Sequence, residues 1–186
     1  VAATNTGVVL NEGTIRVAEG TIFTNGVSQD FAEGLYYNQP SATTQVDGRF
    51  QVTSGQVSNS GVITIGTRGE YFQYGGTTGN SGTFTNAGTV RIGEGTSFGN
   101  FSNRTPPVAQ YIQQAGGTTH IHGTFQVGGA KVENAGSMTV GSTGTYHQAF
   151  NKFVPVVSTT VNSGTFANAG STVINVDLPW NPAVLE

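Results

Sequence analysis

Three observations predict an all-β chain, a single-stranded parallel β-helix (β-solenoid) with two repeats of about 75 residues and a partial third. One phrase keeps returning: NEGTIRV from Asn11, NSGVITI from Asn59, NAGTVRI from Asn86, NAGSMTV from Asn134 and NAGSTVI from Asn168. Within the phrase the residues alternate at period two, Asn11, Gly13, Ile15 and Val17 on one parity and Glu12, Thr14 and Arg16 on the other, which suits a strand with one face inward. Helical periodicity has no comparable support, and the abundance of threonine, β-branched residues and glycine (28 of 186 residues) weighs against helix. A catalytic motif seldom occurs five times in one chain, whereas a unit that stacks on copies of itself must recur.

The larger period is 75 residues, because Asn5, Asn11, Gly48 and Asn59 recur as Asn80, Asn86, Gly123 and Asn134. Residues 11–66 align with 86–141 without a gap at about 22 identities, a level that marks internal duplication. A third start follows at Asn162, after a stretch of seven extra residues in HQAFNKFVPVVSTT, and an insertion that spares its flanking motifs belongs in a surface loop. The expected organisation is one solenoid domain over 1–178, with units 5–79, 80–161 and 162–176, followed by a Pro/Trp tail over 179–186. Three coils of about 25 residues per unit, or four of about 19, fit the spacing; about seven coils at about 4.8 Å each make a rod about 35 Å long.

Each element of the phrase has a structural role. In a stack, equivalent residues lie over one another, so inward asparagines hydrogen-bond from coil to coil as amide ladders do. Asn11, Asn59, Asn86, Asn134 and Asn168 are the predicted ladder. Glycine two places later permits a corner that a Cβ would obstruct. The Ile/Val pair fills the interior, as do Val46, Phe50 and Val52 and their counterparts Ile121, Phe125 and Val127.

Composition narrows the function. The chain has no cysteine, which removes disulfides, thiol catalysis and cysteine-ligated metals together. Only 9% of residues are charged, against about 25% in ordinary domains, so solubility rests on Thr, Ser, Asn and Gln. A net charge of -3, with basic residues scattered, argues against nucleic-acid binding. Apolar runs of a few residues are far short of the roughly 20 needed to span a bilayer, so no membrane insertion is expected.

No catalytic residue, metal ligand or cofactor is assigned, and the chain reads as a non-enzyme. His120 and His122 flank Ile121 and share a face, but no third ligand accompanies them. Glu19 and Glu94 occupy equivalent EG corners, and equivalent positions in a solenoid are expected to form a column, where two carboxylates would flank a sugar; a corner beside glycine is the plainer reading. Outward threonines such as Thr14, Thr64, Thr89 and Thr139 mix with Arg, Gln and Glu, which fits β propensity on a polar face.

The run YIQQAGGTTHIHGTFQVGGAKVENAGSMTVG, Tyr111 to Gly141, and its partner over 36–66 resemble the coils of bacterial secreted β-solenoids, the filamentous-haemagglutinin-like and autotransporter-type surface proteins. That resemblance implies export to the cell surface or the extracellular space and a stalk, matrix or adhesive role. A solenoid exposes unpaired strand groups at its ends, and no amphipathic capping helix is visible in the sequence. The expected function is therefore an extracellular structural subunit that associates head-to-tail with copies of itself into a surface or biofilm-matrix fibre. Its candidate interface comprises Val8, Leu10, Ile15, Val173, Ile174, Val176, Trp180, Val184 and Leu185, the tail acting as a clip across subunits or as a cap. The alternative is an adhesin or fibre-type module recognising glycan or a host or cell-surface protein through side-loop residues Tyr36, Tyr37, Phe101, Phe150, Phe153 and Val154.

Overall fold

A computed structural model describes residues 1–26, 34–101, 109–149, 158–174 and 184–185. The first four coils contain β1 (Ala2–Asn5), β2 (Val8–Asn11), β3 (Thr14–Val17), β4 (Ile22–Asn25), β5 (Leu35–Asn38), β6 (Thr43–Val46), β7 (Arg49–Val52), β8 (Gln56–Asn59), β9 (Val62–Ile65), β10 (Glu70–Gln73), β11 (Thr77–Asn80) and β12 (Thr83–Asn86). The next four contain β13 (Thr89–Ile92), β14 (Ser97–Phe101), β15 (Gln110–Gln113), β16 (Thr118–Ile121), β17 (Thr124–Gly128), β18 (Lys131–Asn134), β19 (Ser137–Val140), β20 (Thr145–Ala149), β21 (Thr159–Asn162), β22 (Thr165–Asn168), β23 (Ser171–Ile174) and β24 (Val184–Leu185). Every third strand pairs in parallel, giving three eight-stranded sheets. Face A begins with β1 and ends with β22, face B runs from β2 to β23, and face C from β3 to β24. With 4.8 Å between paired strands, the eight coils span about 34 Å from first strand to last.

A typical strand is four residues long, its second and fourth side chains inward and its first and third outward. Two-residue corners keep that phase, which is why the parity of the repeated phrase survives across Glu12-Gly13. The second position carries the large rings. Phe50 stacks on Tyr71, Phe84 on Tyr111 and Phe98 on Phe125 at 5.2–5.4 Å between centroids, and Tyr146 follows Phe125 at 5.6 Å. All seven are fully buried. Each such ring contributes roughly 1.5–3 kcal/mol by burial and its ring pairs about 0.5–1.5 kcal/mol more.

The coils are unequal because corners differ: the step along face A is 19 residues from Glu70 to Thr89 and 29 from Thr89 to Thr118. Eight coils therefore replace the expected seven. The 75-residue period spans ten strands, which is three coils and one strand over. Asn11 on β2 lies on face B, Asn86 on β12 on face C, and Asn168 on β22 on face A. Equivalent residues of successive units are displaced by a third of a turn and do not lie over one another. The tail also takes part in the fold, since β24 pairs with β21 of the same chain and completes face C.

Candidate functional site

The inward fourth positions build amide ladders, but with other members than the phrase alone indicates. On face B, Asn11 donates to Asn38, Asn38 to Asn59, Asn59 to Asn80 and Asn80 to Asn100, each from Nδ2 to Oδ1 at 2.7–2.8 Å. On face C, Asn86 donates to Gln113 at 3.1 Å and Asn134 to Asn162 at 2.7 Å. Asn11 and Asn59 thus share a ladder only through Asn38. Asn86 and Asn134 lie on face C with Gln113 between them. Asn168 is exposed and sits beside Val140, outside both ladders. Where no amide donates from beneath, as at Asn5, Asn11, Asn86, Asn134 and Asn168, the Oδ1 accepts the N–H of the glycine two residues on.

A second buried network recurs every fifth strand. The hydroxyls of Tyr36, Tyr71, Tyr111 and Tyr146 lie 2.6 Å from those of Thr44, Thr78, Thr119 and Thr160. Those threonines in turn donate to Asn38, Gln73, Gln113 and Gln148. Desolvation pushes all four phenols above the ordinary tyrosine value, more than the threonine hydrogen bonds lower them. A signal existed in the sequence: Tyr-x-Asn/Gln at 36–38, 71–73, 111–113 and 146–148. No buried side-chain polar atom among the described residues lacks a partner, so the interior is chemically closed.

Outside, charges gather at the corner between faces C and A over coils one to four. Arg16 pairs with Asp47 at 3.0 Å, Arg49 with Glu70 at 2.6 Å and Arg68 with Glu19 at 2.7 Å, beside an open groove of about 410 Å³. Glu94 is at an A-to-B corner, on a different edge from Glu19, so the expected carboxylate column does not exist. His120 points outward from face A, and partial burial, Arg91 and His122 lower its pKa. No group of three metal-ligating side chains occurs among the described residues.

The candidate interface residues divide by location. Val8 and Leu10 are outward and exposed on β2, Val173 is exposed on β23, and Ile15 and Ile174 are half-buried at the two ends of the core. Val184 and Leu185 pair with Thr159 and Thr160 of their own chain and form the outermost strand of face C, at the end of the rod. Val176 and Trp180 lie outside the described residues, as do Phe150, Phe153 and Val154. Tyr36 is fully buried on β5 and is no side-loop residue; Tyr37 is half-buried on the outer surface of the same strand. Phe101 is 44% exposed, and its ring lies against Gly99 and Gly128, where an added Cβ would come within 2.1 Å and 2.7 Å of it.

Comparison with protein families, curated proteins and solved structures finds no match. The fold itself defines the class: an all-β parallel solenoid of repeated coils.

Proposed function

We propose that the protein is an extracellular structural subunit that adds end to end to copies of itself. One observation carries this reading. Of the seven large apolar residues exposed among the described residues, Val1, Val8 and Leu10 are in the first coil and Val173 is in the last, while the intervening coils hold the other three. Those same coils bear the unpaired strand edges of all three sheets. Exposed apolar side chains beside unpaired N–H and C=O groups are the features native sheets avoid unless a partner covers them. A head-to-tail contact of this kind does not close, so it grows a filament. The low charge and the likeness of the coils to secreted bacterial solenoids support an extracellular setting.

Negative-stain electron microscopy of the purified chain over a concentration series tests the reading. Filaments with an axial repeat of about 38 Å, eight coils at 4.8 Å, are expected. Discrete particles at every concentration would reject it.

Phe101 favours a second reading, a glycan-binding face. Its exposed ring lies on face B, where the first and third positions of β8, β11, β14 and β17 include Gln56, Ser58, Thr77, Ser97, Thr124 and Gln126, uncharged donors and acceptors suited to a neutral sugar. Glycan-array binding lost in Phe101→Ala supports that reading.

A further inference from the structure

Eight Asn-x-Gly corners occur in the described chain, and six of them abut a coil beneath. A Cβ at Gly61, Gly82, Gly88, Gly136, Gly164 or Gly170 would lie 2.1–2.3 Å from a backbone carbonyl oxygen of the preceding coil, closer than side-chain carbons approach. Glycine is required there by the neighbour. The remaining two, Gly7 and Gly13, carry the same phrase in the first coil and have nothing within 4 Å. Neither has the positive φ that would itself demand glycine. Their clearance suits a coil lying beneath the first one.

The last coil has the shape of that coil. On face A, β22 ends in Asn168-Ala169-Gly170 and β1 in Asn5-Thr6-Gly7, two-residue corners in which Oδ1 accepts the glycine N–H at 3.0 Å and 3.1 Å. Where one Asn-x-Gly corner already sits on another, Gly82 over Gly61 and Gly164 over Gly136, the fit requires glycine at 2.1 Å. At the second inward position, Ala3 is small and leaves an opening of about 220 Å³ bordered by Ile15, Val17 and Phe23. The matching residue of the last coil is Phe166, half-buried, its ring edge-on to Tyr146. Asn168 has the amide position from which every ladder donates upward.

Resting on the end-to-end reading, we propose its register: β1 of one copy pairs in parallel with β22 of the next, Phe166 against Ala3 and Asn168 against Asn5. In that register Phe166 enters the opening under Ala3 and Asn168 Nδ2 donates to Asn5 Oδ1, continuing the ladder. Gly7 seats on the Gly170 corner. On face B the same step sets exposed Val173 beside exposed Leu10, each shielding one flank of the other.

The test uses the full chain, which has no native cysteine. Thr4 and Ala167 are outward and exposed at opposite ends, and the register makes them cross-strand neighbours at about 4.8 Å, within disulfide range. Oxidised Thr4→Cys/Ala167→Cys should give a ladder of covalent multimers, while Thr4→Cys/Val173→Cys, which places the thiols on different faces, should not. Gly7→Val should leave the melting temperature of the free chain unchanged, since its Cβ meets open space, yet raise the concentration needed for assembly about tenfold or more. Filaments whose thiols cross-link no better in the first pair than in the second, or that form equally well with Gly7→Val, would overturn the register and leave end-to-end association standing. A wild-type chain that never associates would overturn both.

Discussion

The first coil and the interior coils use the same sequence phrase in different surroundings. Around Asn80-Ser81-Gly82 the side chain of Asn80 accepts from Asn59 and donates to Asn100, and Gly82 is pressed on the Gly61 carbonyl. Around Asn5-Thr6-Gly7 the asparagine donates upward to Asn25 at 2.8 Å but accepts only from its own corner, and the glycine faces open space. A local motif therefore encodes half of a contact, and the neighbouring coil supplies the rest. The difference teaches that the first described coil carries the interior phrase without the lower half of its contacts.

The largest expected effect is alkaline unfolding. The four buried tyrosines keep their protons in the folded state at pH values where the unfolded chain has lost them. Stability is thus intact below about pH 10 and falls as pH rises from there toward the raised folded-state values, by about 1.4 kcal/mol per pH unit for each phenol. Phenolate absorbance should appear together with loss of the β-sheet circular-dichroism signal. The comparison sharpens if Tyr36, with one coil beneath it, ionises before Tyr71 and Tyr111; free titration near pH 10 with the fold retained would contradict the buried network.

Next in size is Gly82→Val, which forces a side chain onto the Gly61 carbonyl and should cost about 3 kcal/mol or more, measured by denaturant unfolding. Set beside Gly7→Val, it isolates what the coil beneath contributes. Equal destabilisation by both would break the distinction between end and interior.

Smallest is the ladder pair. Asn59→Leu removes the acceptor of Asn38 and the donor to Asn80 in mid-ladder and should cost about 2–3 kcal/mol. Asn5→Leu removes one rung at the rim and should cost about 1 kcal/mol in the free chain. Equal costs would show that the second rung at Asn59 adds nothing and would break the distinction between rim and mid-ladder.

Much of this fold was legible in the sequence. Period-two alternation placed Val46, Phe50 and Val52 inside, and Asn-x-Gly marked the corners, because both depend on residues two to six apart. The ladder partners Asn38, Asn80 and Gln113 were not legible, since their neighbours lie 20–30 residues away across corners of different length. The tyrosine network escaped for the opposite reason: its four short motifs looked like ordinary strand sequence until Thr44, Thr78, Thr119 and Thr160 were brought against them. Tyr36 misled in the same way, an aromatic next to a loop that turns inward.

The sequence by itself determined that the chain is made of short strands joined by tight glycine corners, that one side of each strand is inward, and that the unit repeats. These follow from backbone sterics and side-chain alternation, which act locally. Only the tertiary structure decided that three strands close a coil, so that a ten-strand repeat advances by a third of a turn and Asn11, Asn86 and Asn168 fall on three different faces. The number of strands per coil is set by how three sheets enclose one column of stacked rings, and that packing belongs to all the coils at once.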